Sequence, residues 1–207
     1  IQNLPIIFCI DRAGLVGEDG ATHQGVFDLA YLRCVPNMIV SAPLNELELR
    51  NLMYTAQLLN KAPFAIRYPR GRGVLEKWKM PFKKIEIGTG QMISEGEHVA
   101  VISIGHIGNM IIEMIAELKS KDIKIGHCDI RFLKPLDIKL LNKIFQKYKY
   151  IITIEDGCLS GGMGSTILEF ASDNNYQNKI ARFGVPDVFI EHGSQKEQRK
   201  ESGFSKE

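Results

Sequence analysis

The chain has 207 residues, 44% of them hydrophobic and 24% charged, a composition typical of a folded, soluble globular protein that excludes a disordered, collagen-like or coiled-coil chain. Its 26 Lys and Arg nearly balance its 24 Asp and Glu, so charge does not favour nucleic acid or an anionic membrane as the main partner. No apolar run reaches the ~18–20 residues that span a bilayer.

The first part of the chain alternates strand and helix signals. Short apolar runs rich in β-branched residues predict strands at 5–10, 38–41 and 63–68. Apolar residues spaced three and four apart predict a helix within 26–33 and a second helix that Asn45 caps. Strands that alternate with helices are typical of a parallel sheet covered by helices, so we expect an α/β fold.

A change in composition at 69–84 predicts an interdomain linker, because Gly, Pro and clustered charges interrupt the apolar pattern there. We therefore expect two domains, at 1–80 and 84–207. The alternation resumes after the linker and predicts strands at 99–104, 123–130, 150–155 and 180–185 and helices at 107–118, 135–145, 165–171 and 194–200.

A long polar loop, 11–25, follows the first predicted strand and holds the strongest candidate site residues. Ligands of open α/β sheets bind beyond the carboxyl ends of the strands. The guanidinium of Arg12 suits a phosphate or carboxylate, His23 is of the residue type best suited to relay a proton, and Asp19 can orient His23 or accept a hydrogen bond from a substrate hydroxyl. A purely structural interpretation of this loop carries the same weight as the functional one. In it, Thr22 caps a helix and His23 lies in the first turn of that helix.

Three arginines follow the third predicted strand and form a candidate anion site in the same sheet. They are Arg67, Arg70 and Arg72. A phosphorylated substrate held between Arg12 and Arg70, with His23 alongside, is the functional hypothesis, and a solvated basic linker is the alternative.

A second Gly-rich turn, 157–165, follows a predicted strand and precedes a helix. It matches neither a P-loop nor a dinucleotide-binding pattern, so we expect close packing of helix on strand there rather than an anion site. The isolated His106, His127 and His192 are expected to be structural.

The four cysteines are widely spaced, with no pattern of a zinc site or a disulfide framework. They are Cys9, Cys34, Cys128 and Cys158. We expect free, partly buried thiols and a cytosol-like compartment.

Four stretches of the sequence resemble the transketolase superfamily of thiamin diphosphate enzymes, and within it the synthases that make 1-deoxy-D-xylulose 5-phosphate. DRAGLVGEDGATHQGVFDLAYLRCVPNM at 11–38 and RYPRG at 67–71 resemble the pyrimidine-binding domain of these enzymes. GCLSGGMGS at 157–165 and GVPDVFIEHGSQKEQR at 184–199 resemble their C-terminal domain. The likeness therefore covers essentially the whole chain.

The resemblance implies a fold for each predicted domain. Residues 1–80 would be the second half of a parallel-sheet pyrimidine-binding domain, and 84–207 a transketolase C-terminal-type α/β domain. It also implies a transferase that condenses pyruvate with D-glyceraldehyde 3-phosphate with loss of CO2, in the synthesis of isoprenoids, thiamin and pyridoxal. Thiamin diphosphate and Mg2+ would be the cofactors and a homodimer the assembly, in a bacterial cytoplasm rather than a plastid.

The same resemblance implies roles for four residues. Arg12 and Arg70 would bind the acceptor phosphate, Asp19 and His23 would contact substrate hydroxyl or carbonyl groups, and His23 would be the proton relay. The family's GDG...N segment, its activating glutamate and the aromatic residue that stacks on the cofactor are absent from the sequence and are expected before Ile1. No metal ligand or main cofactor contact is therefore assigned to this chain, which we expect to be part of a longer protein and inactive alone.

Two alternatives stay open. The chain could be a non-catalytic dimerisation or regulatory module that uses only the C-terminal fold. It could also be the β-subunit of a 2-oxo-acid dehydrogenase E1, which shares the two-domain layout but would not be expected to combine DRAG, GEDGATHQG and YPRG.

Overall fold

The computed structural model describes residues 2–59 and 61–206, which form two sheets flanked by helices. In chain order the strands are β1 (Ile7–Ile10), β2 (Ile39–Ser41), β3 (Phe64–Arg67), β4 (Gln91–Ser94), β5 (Val99–Ser103), β6 (Gly126–Asp129), β7 (Phe132–Lys134), β8 (Tyr150–Cys158) and β9 (Lys179–Val185). The helices are α1 (Asp28–Cys34), α2 (Glu46–Gln57), α3 (Ile107–Lys119), α4 (Ile138–Lys147), α5 (Met163–Asp173) and α6 (Gln195–Glu201).

The two sheets are dominated by parallel pairs, which confirms the predicted fold class. The first has the order β1-β3-β2-β7 and the second the order β4-β6-β5-β8-β9. Each carries one antiparallel edge strand, β7 against β2 and β4 against β6, and the sequence analysis predicted neither. β7 has three residues and β4 has four, and so short a run does not show the alternation of apolar and polar residues by which a strand is recognised.

Capping side chains fix several helix starts. Asn45 accepts a hydrogen bond from the Glu48 amide, as predicted, and Ser194 and Glu197 form a reciprocal capping box at α6. The helix predicted at 135–145 begins later than expected. α4 starts at Ile138, because the Asp137 carboxylate accepts from the Leu140 amide and caps it, so Pro135 lies before the helix and not in its first turn.

One hydrophobic core lies between the two sheets and joins them. Its buried members include Val40 and Ala65 from the first sheet and Ile102, Ile130 and Leu141 from the second half of the chain. Residues 68–90 contain neither helix nor strand. The domain limits at 80 and 84 stay a prediction.

A buried polar cluster also crosses between the halves of the chain. Arg131 donates to the Glu48 carboxylate at 2.7 Å and to Gln91. Asp129 lies beside them, fully buried, and its Oδ2 has no hydrogen-bond partner among the described residues. Burial, with the charge of Glu48, raises the pKa of Asp129 to about 8.

This raised pKa predicts that stability falls as pH rises. Asp129 keeps its proton in the folded state up to about pH 8, whereas the unfolded chain releases it near the ordinary value of 3.8. The folded state therefore binds more protons across this window, and the free energy of unfolding decreases from pH 5 to pH 8. Asp129→Asn should remove at least about 1.4 kcal/mol of that decrease, the equivalent of one pKa unit.

Urea unfolding followed by circular dichroism at several pH values measures this difference. The exposed Asp173 supplies the matched control, Asp173→Asn, which should keep the wild-type pH dependence. Equal slopes for D129N and wild type would contradict the prediction.

Candidate functional site

The loop 11–25 between β1 and α1 is closed at its base by glycine. The amides of Gly14 and Gly25 each donate to the other's carbonyl, at 2.8 and 2.9 Å. Gly14 has φ +82°, and a Cβ there would lie 2.4 Å from the carboxyl carbon of Asp156. Only glycine therefore lets the loop approach this buried carboxylate closely.

Residues 15–17 at the centre of the loop are held by side chains rather than by a strand or helix. Leu15 and Val16 are buried, so their backbone groups require hydrogen-bond partners within the protein. The amides of residues 15, 16 and 17 donate in turn to the side chains of Asp156, Gln24 and Gln198. The carbonyls of the same residues accept in turn from Gln195, Arg70 and Gln198.

Three predicted site residues meet at the exposed rim of this loop. Arg70 Nη1 lies 3.0 Å from Asp19 Oδ2, and Arg12 Nε lies 3.8 Å from the same oxygen. The side chains of Arg12 and Arg70 are 51% and 45% exposed, so ligands have access to both guanidinium groups. Arg12 also pairs with Asp11 at 2.7 Å. Two cationic forks thus converge on one carboxylate.

His23 lies in a turn of the same loop. Its side chain is exposed and stands apart from the guanidinium groups of Arg12 and Arg70. Its Nδ1 is 2.9 Å from Thr22 Oγ1. Within the part of the chain that the structure describes, no hydrogen bond or ion pair joins His23 to Arg12, Asp19 or Arg70. The interpretation of Thr22 as a helix cap is wrong, since α1 begins at Asp28 and has no side-chain cap.

Arg67 is not part of an anion site, which corrects the grouping of three arginines. Its side chain is 1% exposed and bonds Asp28 Oδ2 at 2.7 Å and the Asp156 carbonyl at 2.9 Å. Burial by itself lowers the pKa of Arg67, but the charge and hydrogen bond of Asp28, together with the charges of Asp156 and Glu155, outweigh it, and the net pKa is raised. This guanidinium is a structural cation that ties the first sheet to β8.

A buried carboxylate that was not predicted, Asp156, lies near the end of β8. It accepts from the Leu15 amide and contacts His106 Nε2 at 2.9 Å and Arg199 Nη2 at 3.6 Å. Burial by itself raises its pKa. The hydrogen bond and charge of His106, the charge of Arg199 and the Leu15 amide together outweigh burial and hold the pKa below the ordinary value. The signal in the sequence is Glu155-Asp156-Gly157, two adjacent carboxylates at the end of the predicted strand 150–155.

The Gly-rich turn before α5 is occupied by the protein's own carboxylate. Glu155 accepts from the amides of Met163 and Gly164 at 2.7 and 2.8 Å, in the position where an external anion would bind. A Cβ at Gly162 would lie 2.3 Å from Glu155 Oε2. The structure thus agrees with the expected packing role of these glycines.

Among residues 2–59 and 61–206, no group of three or more His, Cys, Asp or Glu side chains is arranged to hold a metal ion. The same ranges contain no helix with the length and hydrophobicity of a membrane-spanning segment. Cys9 and Cys34 are exposed free thiols, and Cys128 and Cys158 are buried ones.

Two family models match the chain. The transketolase pyrimidine-binding domain matches residues 1–73, and the transketolase C-terminal domain matches residues 88–207.

Curated relatives resemble nearly all of the chain. The 1-deoxy-D-xylulose-5-phosphate synthase of Cytophaga hutchinsonii is 58% identical over 99% of this chain and 32% of its own length. The synthases of Bacteroides thetaiotaomicron and Aquifex aeolicus are 54% and 48% identical, each over 94% of this chain and 30% and 31% of their own lengths. The chain thus spans about a third of the length of these relatives.

Solved structures show a similar fold. A split-gene transketolase described as an inactive β4 tetramer matches with a TM-score of 0.80 and 26% identity, over 96% of this chain and 62% of its own. The transketolase of Campylobacter jejuni matches with a TM-score of 0.69 and 19% identity, over 96% and 29%, and shows the fold alone.

The burial of Arg67 predicts a large loss of stability in Arg67→Leu. The substitution leaves the Asp28 carboxylate buried without its cation, which should lower the free energy of unfolding by about 3–5 kcal/mol. Urea unfolding measures this change. Arg72→Leu, an exposed arginine of the same segment, is the control and should stay within about 0.5 kcal/mol of wild type. A similar small effect of both variants would refute the structural role of Arg67.

Proposed function

The chain belongs to the transketolase family, and from that premise we propose that it forms the acceptor-binding part of a 1-deoxy-D-xylulose-5-phosphate synthase. Such a synthase is a transferase that condenses pyruvate with D-glyceraldehyde 3-phosphate, releases CO2 and yields 1-deoxy-D-xylulose 5-phosphate for isoprenoid and thiamin synthesis. Support comes from relatives of that name that match 94–99% of the chain at 48–58% identity.

The observation that carries the proposal is the convergence of Arg12 and Arg70 on Asp19. The two arginines come from segments 58 positions apart in the chain, yet both guanidinium groups approach one carboxylate oxygen. Planar guanidinium forks bind phosphate by paired, charge-assisted hydrogen bonds. The acceptor phosphate would lie between them, with Asp19 keeping both groups in place before the substrate arrives.

Asp19 and His23 would act on the rest of the acceptor. Asp19 Oδ2 faces the arginines, and its other carboxylate oxygen can accept a hydrogen bond from a substrate hydroxyl. Thr22 holds His23 Nδ1, so Nε2 is the nitrogen that would exchange a proton with the reacting carbonyl oxygen while the carbon–carbon bond forms.

Thiamin diphosphate with Mg2+ is the cofactor implied for such a synthase, and it supplies the activated carbanion derived from pyruvate. The described residues do not fit its diphosphate and metal. They hold no metal-binding cluster, and Glu155 fills the helix N-terminus that resembles a phosphate site. We assign neither group to residues of this chain and derive no step through them.

We also propose that the protein acts as a homodimer in a bacterial cytoplasm. The exposed apolar side chains of Val188 and Phe189, which follow β9, support a self-association surface.

Removal of Arg70 tests the phosphate site. In a chimera in which this chain replaces the matching third of the Cytophaga hutchinsonii synthase, Arg70→Met should lower kcat/KM for D-glyceraldehyde 3-phosphate about 10- to 100-fold, because one charge-assisted interaction with phosphate is lost. The same variant should leave kcat/KM for unphosphorylated D-glyceraldehyde within about twofold of the parent chimera, since that acceptor makes no such contact.

Lys77→Met, which removes an exposed cation from the same irregular segment, is the matched control and should leave both values unchanged. Equal losses for the two acceptors in R70M would refute the phosphate role. Unchanged acceptor kinetics together with weakened dimerisation would favour the non-catalytic module instead.

A further inference from the structure

Gln198 joins α6 to the centre of the site loop, residues 11–25, through both the oxygen and the nitrogen of its side-chain amide. Its Oε1 accepts from the Gly17 amide at 2.9 Å, and its Nε2 donates to the Gly17 carbonyl at 2.8 Å and to the Glu191 carbonyl at 2.8 Å. The residue is 1% exposed. A pair of opposed hydrogen bonds to one residue reproduces the bonding of an antiparallel strand and fixes the orientation of the peptide planes at Gly17.

The backbone at Gly17 sets the direction in which the loop leaves its buried part toward Asp19. Gly17 has φ +82°, a conformation that L residues rarely adopt. A Cβ there would lie at ordinary contact distances, 3.4 Å from the Gly193 carbonyl oxygen and 3.6 Å from Gln195 Cγ, so the backbone conformation rather than the space beside α6 requires glycine.

Gln195 lies one turn before Gln198 on the same face of α6 and contacts two segments of the site. Its Nε2 donates to the Leu15 carbonyl at 2.7 Å and to the Arg70 carbonyl at 3.3 Å. The guanidinium of Arg70 returns to the loop and donates to the Val16 carbonyl at 3.2 Å. The loop and the Arg70 segment are therefore bonded to each other and to one helix.

From this geometry we propose that Gln195 and Gln198 are positioning residues for the acceptor phosphate. They act through the backbone of residues 15–17 and of Arg70, and so fix the separation of the Arg12 and Arg70 guanidinium groups. The inference rests on the function proposed above and deepens it. α6 then contributes to selection of a phosphorylated acceptor without touching the substrate.

The two glutamines should affect a phosphorylated acceptor and spare an unphosphorylated one. In the chimera described above, Gln195→Leu should lower kcat/KM for D-glyceraldehyde 3-phosphate about tenfold, mainly through KM, because the guanidinium groups lose their fixed separation. The value for D-glyceraldehyde should stay within about twofold of the parent. A purely structural role would reduce both values together.

Gln198 is buried, so two substitutions are compared. Gln198→Leu removes all three hydrogen bonds, whereas Gln198→Glu keeps the acceptor for the Gly17 amide and loses the donor to the Gly17 and Glu191 carbonyls. Both should show the same acceptor-selective loss, larger for Q198L. The exposed Gln177 gives the control Gln177→Leu, which should match the parent for both acceptors. Thermal unfolding of each variant reports whether it folds.

R70M separates failure of this inference from failure of the proposed function. If R70M does not discriminate between the two acceptors, the proposed phosphate site itself is wrong. If R70M discriminates but Q195L and Q198E do not, the positioning inference alone is overturned. If neither Gln198 variant folds, Q195L decides, since Gln195 is only partly buried: an acceptor-selective loss supports the inference and parent-like kinetics refute it.

Discussion

The buried carboxylate of Asp156 is the contact on which the arrangement of the site depends. It lies at the end of β8, in the second sheet, yet it accepts from the Leu15 amide in a loop of the first. His106 and Arg199 bring α3 and α6 to the same carboxylate. A buried anion requires partners that compensate its lost hydration, so each of these elements is held where it can supply one.

The site loop combines a rigid base with an accessible rim. At the base, every backbone polar group of residues 15–17 bonds a side chain; Gln24 lies in the loop itself, and the other partners come from elsewhere in the chain. At the rim, Arg12, Asp19 and Arg70 remain between about a third and a half exposed. Rigid support beneath exposed charged groups keeps them preorganised for an anion and open to it.

Local patterns in the sequence were sufficient to predict most of the strands and helices of the fold. The spacing of apolar residues identified the strands at 39–41, 64–67 and 99–103, and Asn45 was recognised as a helix cap because capping is a property of neighbouring residues. The edge strands β4 and β7 were missed. β4 pairs with β6 and β7 pairs with β2, and it is this tertiary pairing, rather than an alternating pattern in their own residues, that makes them strands.

The sequence by itself determined the α/β alternation and the chemistry available in the loop, since Arg12, Asp19 and His23 lie within 12 positions of one another. Only the tertiary structure decided which cations face solvent: Arg67 is buried against Asp28, while Arg70, three positions later, reaches Asp19. It also decided which residues hold the loop, because Gly17 and Gln198 are 181 positions apart. Periodicity and motif spacing describe near neighbours along the chain, and contacts at such separation are created only when the two sheets pack on one core.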